Sequence, residues 1–158
     1  LDASNPILHA RVEPLIRATY GDGLDRALRA QGLKKATAYF EFFGPGSFAG
    51  SHVATEPHQV MLLDIAVHRK GLMLPETLIR VCAGLPLPPV LHRGVFTEAM
   101  AAQVAAGTFP GQTAEGVILK ANRLGSPGRP VMAKLKSRAW LEALRADCRS
   151  DLEFLRRR

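Results

Sequence analysis

"EGVILKANRLGSPGRPVMAKLK", residues 115 to 136, is the stretch on which the fold turns. Glu115 to Lys120 and Val131 to Lys136 each read as a strand. Between them "ANRLGSPGRP" has the glycine and proline content of a hairpin with a long loop. A helix is expected directly afterwards, from about Arg138, with Trp140, Leu141, Leu144, Cys148, Leu152 and Leu155 on one stripe.

Working back toward the start, "ATAYFEFF" (36–43) predicts another strand. Side chains alternate across a pleat, so Phe40 and Phe42 point one way while Tyr39, Glu41 and Phe43 point the other. Residues 44 to 59 are loop-forming, with Gly44, Pro45, Gly46, Gly50 and Pro57. Val60 to Val67 is an apolar run holding only Asp64, the pattern of a strand covered on both faces. Asn5-Pro6 suggests a helix start, and Leu8, Val12, Leu15 and Ile16 recur at helical spacing. That helix is expected to stop before Gly21-Asp22-Gly23, and a shorter one to run from Leu24 to about Gly32. Pro75 opens a helix that Gly84 closes, Leu85 to Val90 is extended, and Thr97 caps a helix that ends at Gly107. The expectation is an α+β fold, antiparallel sheets packed with helices, in one domain without internal repeats.

The 158 residues, nearly half of them apolar, suffice for a real core. No apolar run is long enough to span a bilayer, so no membrane partner is expected. Cys82 and Cys148 lie far apart without zinc-site or disulfide-scaffold spacing, and both read as buried thiols in a reducing cytoplasm. A formal charge of +7 and a pI near 10.0 favour a polyanionic partner, because clustered cations release counterions on meeting phosphates.

Three features carry chemistry. Lys134 and Lys136 alternate on one strand, so both ammonium groups leave the same face about 6.5 to 7 Å apart along the backbone. They repel unless an anion such as a polyphosphate lies between them. A solvated strand face is the plainer alternative. Glu115 precedes a glycine that admits a ligand or another backbone, and a carboxylate beside phosphate serves mainly to hold a divalent metal. It reads otherwise as a surface strand end. Glu41, set among four aromatic residues, would lose hydration in an apolar strand, which calls for a compensating cation, donor or ligand hydroxyl. Lys120 closes the strand that Glu115 opens, on the opposite face unless a bulge intervenes. The histidines match no zinc spacing and accompany no paired Ser or Cys nucleophile, so loop or surface roles are expected.

The order of "YFEFFG", "MLLDIAV", "EGVILK" and "AKLKSRAW" resembles the third to fifth motifs of the covalent nucleotidyltransferase superfamily of polynucleotide ligases and mRNA capping enzymes. The ATP-dependent RNA ligase branch is the most similar. The resemblance covers about Tyr39 to Leu144 and implies an adenylyltransferase domain, ATP and Mg2+ as cofactors, and nucleic acid as partner, RNA before DNA. A lysine of such enzymes takes AMP from ATP, AMP passes to a 5′-phosphate, and a 3′-hydroxyl seals the strand, as in RNA repair. By position, Glu41 would accept hydrogen bonds from the ribose and Glu115 would help bind the metal. Lys134 and Lys136 would hold the α-phosphate region, while Leu63, Asp64 and Lys120 match other nucleotide-binding positions.

This sequence departs from the family pattern twice. No lysine, any residue, Asp, glycine nucleophile motif occurs, and Lys34-Lys35-Ala36-Thr37 does not supply one. Leu63 stands where an aromatic residue usually stacks on adenine. The expectation is that the nucleophile lies upstream in a longer polypeptide. The alternatives are a DNA ligase or capping-type transferase, or a non-catalytic ligase-like subunit that binds nucleic acid.

Overall fold

The computed structural model describes residues 10, 12–45, 52–125 and 130–157. The expected start at Asn5-Pro6 and most of the glycine-rich loop after Phe43 lie outside the described residues. In chain order the elements are α1 (Glu13–Ala30), β1 (Ala36–Phe43), β2 (Gln59–Val67), β3 (Gly71–Leu72), α2 (Pro75–Val81), α3 (Glu98–Ala106), β4 (Gly116–Leu124), β5 (Pro130–Lys136), α4 (Arg138–Asp147) and α5 (Asp151–Arg157). This is a mixed α+β architecture with small antiparallel sheets: β1-β2-β3 in one, and the β4-β5 pair in the other. The chain divides into two compact units, Leu1–Pro45 with Ala54–Pro89 and Ala121–Val131, and Gly46–Val53 with Val90–Lys120 and Met132–Arg158.

In the first unit, α1 runs straight through Gly21-Asp22-Gly23, where two helices are expected from the sequence. Each glycine costs about 1 kcal/mol in a helix, but tertiary contacts offset it. A Cβ on Gly23 would meet Leu85 Cδ2 at 2.6 Å, so the missing side chain is what lets Leu85 close on the helix. Leu15, Ile16, Leu24, Ala27 and Leu28 lie along the same side of α1 against a core that includes Tyr20, Leu62, Ile65 and Cys82.

β1 has the bounds expected from its alternation, with Thr37, Tyr39 and Glu41 exposed and the residues between them half-buried. Its ladder with β2 contains a bulge. Tyr39 pairs with Asp64 and the next residue, Phe40, with Leu62, leaving Leu63 as the extra residue. Val60, Leu62 and Ile65 are therefore all buried although their spacing changes from two to three. The expectation that β2 is covered on both faces is corrected: its other face is only half-covered, and Asp64 stands on it.

β3 pairs only with Ala66 and Val67, so among the described residues most of that edge of β2 has no strand neighbour. Tyr20 takes the place of one. Its hydroxyl accepts from the Leu62 N–H at 3.1 Å, donates to the Pro86 carbonyl at 2.9 Å, and lies 3.3 Å from the Val60 carbonyl. Buried backbone groups need such partners.

α2 begins at Pro75 as expected, and Gly84 adopts a φ of +86° after it. In the second unit, Thr97 caps α3 by accepting from Met100 N–H at 3.3 Å, and Gly107 closes it in the left-handed region. The expected single final helix is two. The backbone is extended at Cys148, and Ser150 restarts the helix by accepting from Glu153 N–H at 3.2 Å while the Glu153 carboxylate accepts from Arg149 N–H at 2.9 Å. Leu152 and Leu155 are more than half exposed, so the apolar stripe does not continue beyond Leu144 as a buried face. Cys82 is buried as expected, whereas Cys148 is only half-buried. Among the described residues no helix is long and apolar enough to cross a membrane.

Candidate functional site

Gly116 decides how the second unit holds its charged groups. Its φ is +136°, and a Cβ there would overlap the Leu135 carbonyl and lie 2.9 Å from Lys136 Cα. Of the two roles open to this glycine, close approach of a backbone is the one seen: the end of β5 lies against the start of β4. Ser137, buried at the end of β5, ties the contact down. Its N–H donates to the Glu115 carbonyl at 2.9 Å and its hydroxyl donates to the Ala114 carbonyl at 2.6 Å. The same hydroxyl oxygen accepts from Trp140 N–H at 3.2 Å and so starts α4.

These restraints set the Lys136 ammonium in an ion pair with the Glu115 carboxylate. The ammonium also lies 4.3 Å from the centre of the Trp140 ring, over its face. The lysine side chain is only 13 % exposed, so it is far more fixed than a surface lysine. A cation over indole contributes about 0.5–2 kcal/mol, more as water is excluded. Lys134, two residues earlier on β5, is exposed and makes no ion pair among the described residues. The two lysines thus differ: one is held by an acid and an aromatic face, the other is in solvent. Lys120 is half-buried on β4, which runs uninterrupted from Gly116, so alternation groups it with Ile118.

The first unit gathers the other predicted residues. Glu41 is exposed on β1 opposite Met61, and Asp64 is opposite Tyr39 on the same sheet face, with Leu63 at the bulge beside it. The expectation that Glu41 requires a compensating partner is corrected, because exposure leaves its hydration available. The predicted residues therefore form two groups, Glu115 with Lys136 and Lys134 in one unit, and Glu41, Leu63 and Asp64 in the other.

His58 has a structural place. Its ring stacks on Phe42 at 4.9 Å with an interplanar angle of 8°, and its Nε2 is 3.3 Å from the Pro45 carbonyl. Gly44, at φ +139°, leaves the room this needs, since a Cβ there would be 3.0 Å from His58 Cα. Ser137 and Trp140 escaped the sequence reading as positioning residues, whereas Gly116 was read there as a place of close approach. A serine directly before a helical run was the available signal for the first.

Among the described residues no group of three or more His, Cys, Asp or Glu side chains could hold a metal ion. Comparison with protein-family models, curated proteins and solved structures finds no match to the chain.

Proposed function

We propose that this chain is part of an ATP-dependent polynucleotide ligase of the RNA ligase type, a covalent nucleotidyltransferase. One observation carries the reading. "EGVILK" and "AKLKSRAW", separate along the sequence, lie together so that Glu115 and Lys136 meet. In the proposed cycle Lys136 exchanges the Glu115 carboxylate for an α-phosphate oxygen, and exposed Lys134 supplies the second cation. Phosphoryl transfer depends mainly on this kind of positioning and charge stabilisation. Glu115, released, becomes available to Mg2+, which when bound neutralises phosphate charge.

The first unit, taken by itself, carries other positions that the resemblance assigns to nucleotide contacts. Glu41, solvated, can accept from a ribose hydroxyl, and Leu63 can pack against a base. Asp64 in the first unit and Lys120 in the second are each assigned a nucleotide contact by the same resemblance. RNA is the proposed substrate before DNA.

A second reading, a non-catalytic relative that binds nucleic acid, is favoured by the lack of a lysine nucleophile motif in these 158 residues. The test is incubation of the polypeptide, as its own cell makes it, with α-labelled ATP and Mg2+. Label retained by protein after denaturation supports ligase chemistry. No label supports the binding module, and a preference for GTP supports a capping-type enzyme.

A further inference from the structure

At the end of the β1–β2 ladder where Ala36 pairs with Val67, two basic segments far apart in sequence become neighbours. Lys34 and Lys35 lead into β1, while His68, Arg69 and Lys70 form the turn between β2 and β3. The His68 N–H donates to the Lys35 carbonyl at 3.1 Å, which joins the two segments directly. The turn is tight, with Lys70 N–H donating to the Val67 carbonyl at 3.0 Å and Arg69 at a φ of +63°. All five side chains are exposed. Among the described residues none of them forms an ion pair with a carboxylate.

Four permanent cations and an imidazole, in segments joined at one end of the β1–β2 ladder, repel one another. A ligand with closely repeated negative charges removes that repulsion. The chain's overall +7 charge would draw such a ligand in from a distance. The cluster lacks the exposed apolar face that a membrane-surface element needs. Leu33 beside it is turned onto the core, and Leu72 is half-buried.

We propose that Lys34, Lys35, His68, Arg69 and Lys70 form a docking surface for the phosphate backbone of a nucleic acid, independent of its sequence and of its ends. The surface lies at the opposite end of β1 from Glu41 and Phe43. The inference goes beyond the nucleotidyltransferase reading and stands if that reading fails, because backbone binding requires no adenylate.

The experiment measures binding of an end-blocked single-stranded RNA across a salt series. Each phosphate contact contributes about 0.7 to the slope of log affinity against log salt. The Lys35→Ala/Lys70→Ala variant should lose about 1.4 from that slope, equivalent to about 25-fold in affinity at 0.1 M salt. Lys35→Arg/Lys70→Arg should retain the slope, which also shows that the positions tolerate change. Arg17→Ala/Arg29→Ala, which removes two charges already engaged by Glu13 and Asp25 on α1, should leave the slope near that of the parent. An unchanged slope in the first variant overturns the proposal. So does an equal fall in the α1 variant, which would assign the effect to net charge. Loss of binding to phosphatidylserine vesicles with RNA binding intact would reassign the surface to a membrane.

Discussion

Gly116→Ala tests the contact on which the candidate site stands. The added methyl group would overlap the Leu135 carbonyl and sit 2.9 Å from Lys136 Cα. These are backbone atoms, so no rotamer change relieves the overlap. A φ of +136° adds strain for any residue with a Cβ. Overpacking costs about 1–3 kcal/mol, and holding a non-glycine residue in such a region costs about 1–3 kcal/mol. Together they predict a loss of roughly 2–6 kcal/mol, a large part of the usual domain stability of about 5–15 kcal/mol. Trp140, the sole tryptophan, lies under the Lys136 ammonium and reports unfolding of this unit by its emission in urea. Gly107→Ala is the control. It also requires positive φ, +77°, but a Cβ there meets nothing within 4 Å, so it should cost about 1 kcal/mol. Equal losses in the two variants would refute the argument, since backbone strain alone would then account for both.

Tyr20→Phe should destabilise the first unit by about 1–3 kcal/mol, because it leaves the buried Leu62 N–H and Pro86 carbonyl without the hydroxyl; chemical denaturation measures the loss. Lys134→Ala should leave stability within about 0.5 kcal/mol of the parent while Lys136→Ala costs about 1–2 kcal/mol. Under the proposed ligase function each should also lower adenylate formation by orders of magnitude, and unchanged labelling in both would remove them from the site. Burial pushes the Cys82 thiol above its ordinary value of 9.0. The unfolded chain then loses this proton before the folded one, so the contribution is intact below pH 9 and stability falls as pH rises through and beyond it. Cys82→Ala should flatten that fall in a pH series of urea melts. Ser150→Ala should speed amide exchange in α5 with little effect on α4, because it removes the cap at the break.

Elements governed by short-range chemistry were legible in the sequence. The alternation of residues 36–43 gave β1, and Thr97 with Gly107 marked both ends of α3. Elements settled by distant contacts were not. Gly21 and Gly23 read as breakers because nothing nearby in the sequence announces Leu85, which uses the gap at Gly23. The stripe from Leu141 to Leu155 kept helical spacing across Cys148, and it masked the Ser150–Glu153 capping pair that begins a new helix. At the candidate site, the residue types around Glu115 and Lys136 were visible, but their meeting depends on the Gly116 crossing and on buried Ser137. The exposure of Glu41 could not be read from its aromatic neighbours, because two of them, Phe40 and Phe42, turn to the other side of β1 and Tyr39 is itself exposed.

The irregularity at Leu63 has a consequence for how β2 could vary. Removing one residue from a strand ordinarily turns everything beyond it inside out. Here Leu63 and Asp64 together fill the stretch between inward-facing Leu62 and Ile65. A chain shortened by Leu63 alone would straighten the ribbon yet keep Asp64 outward and Ile65 inward, so this is a point where length can change by one without exchanging inside for outside.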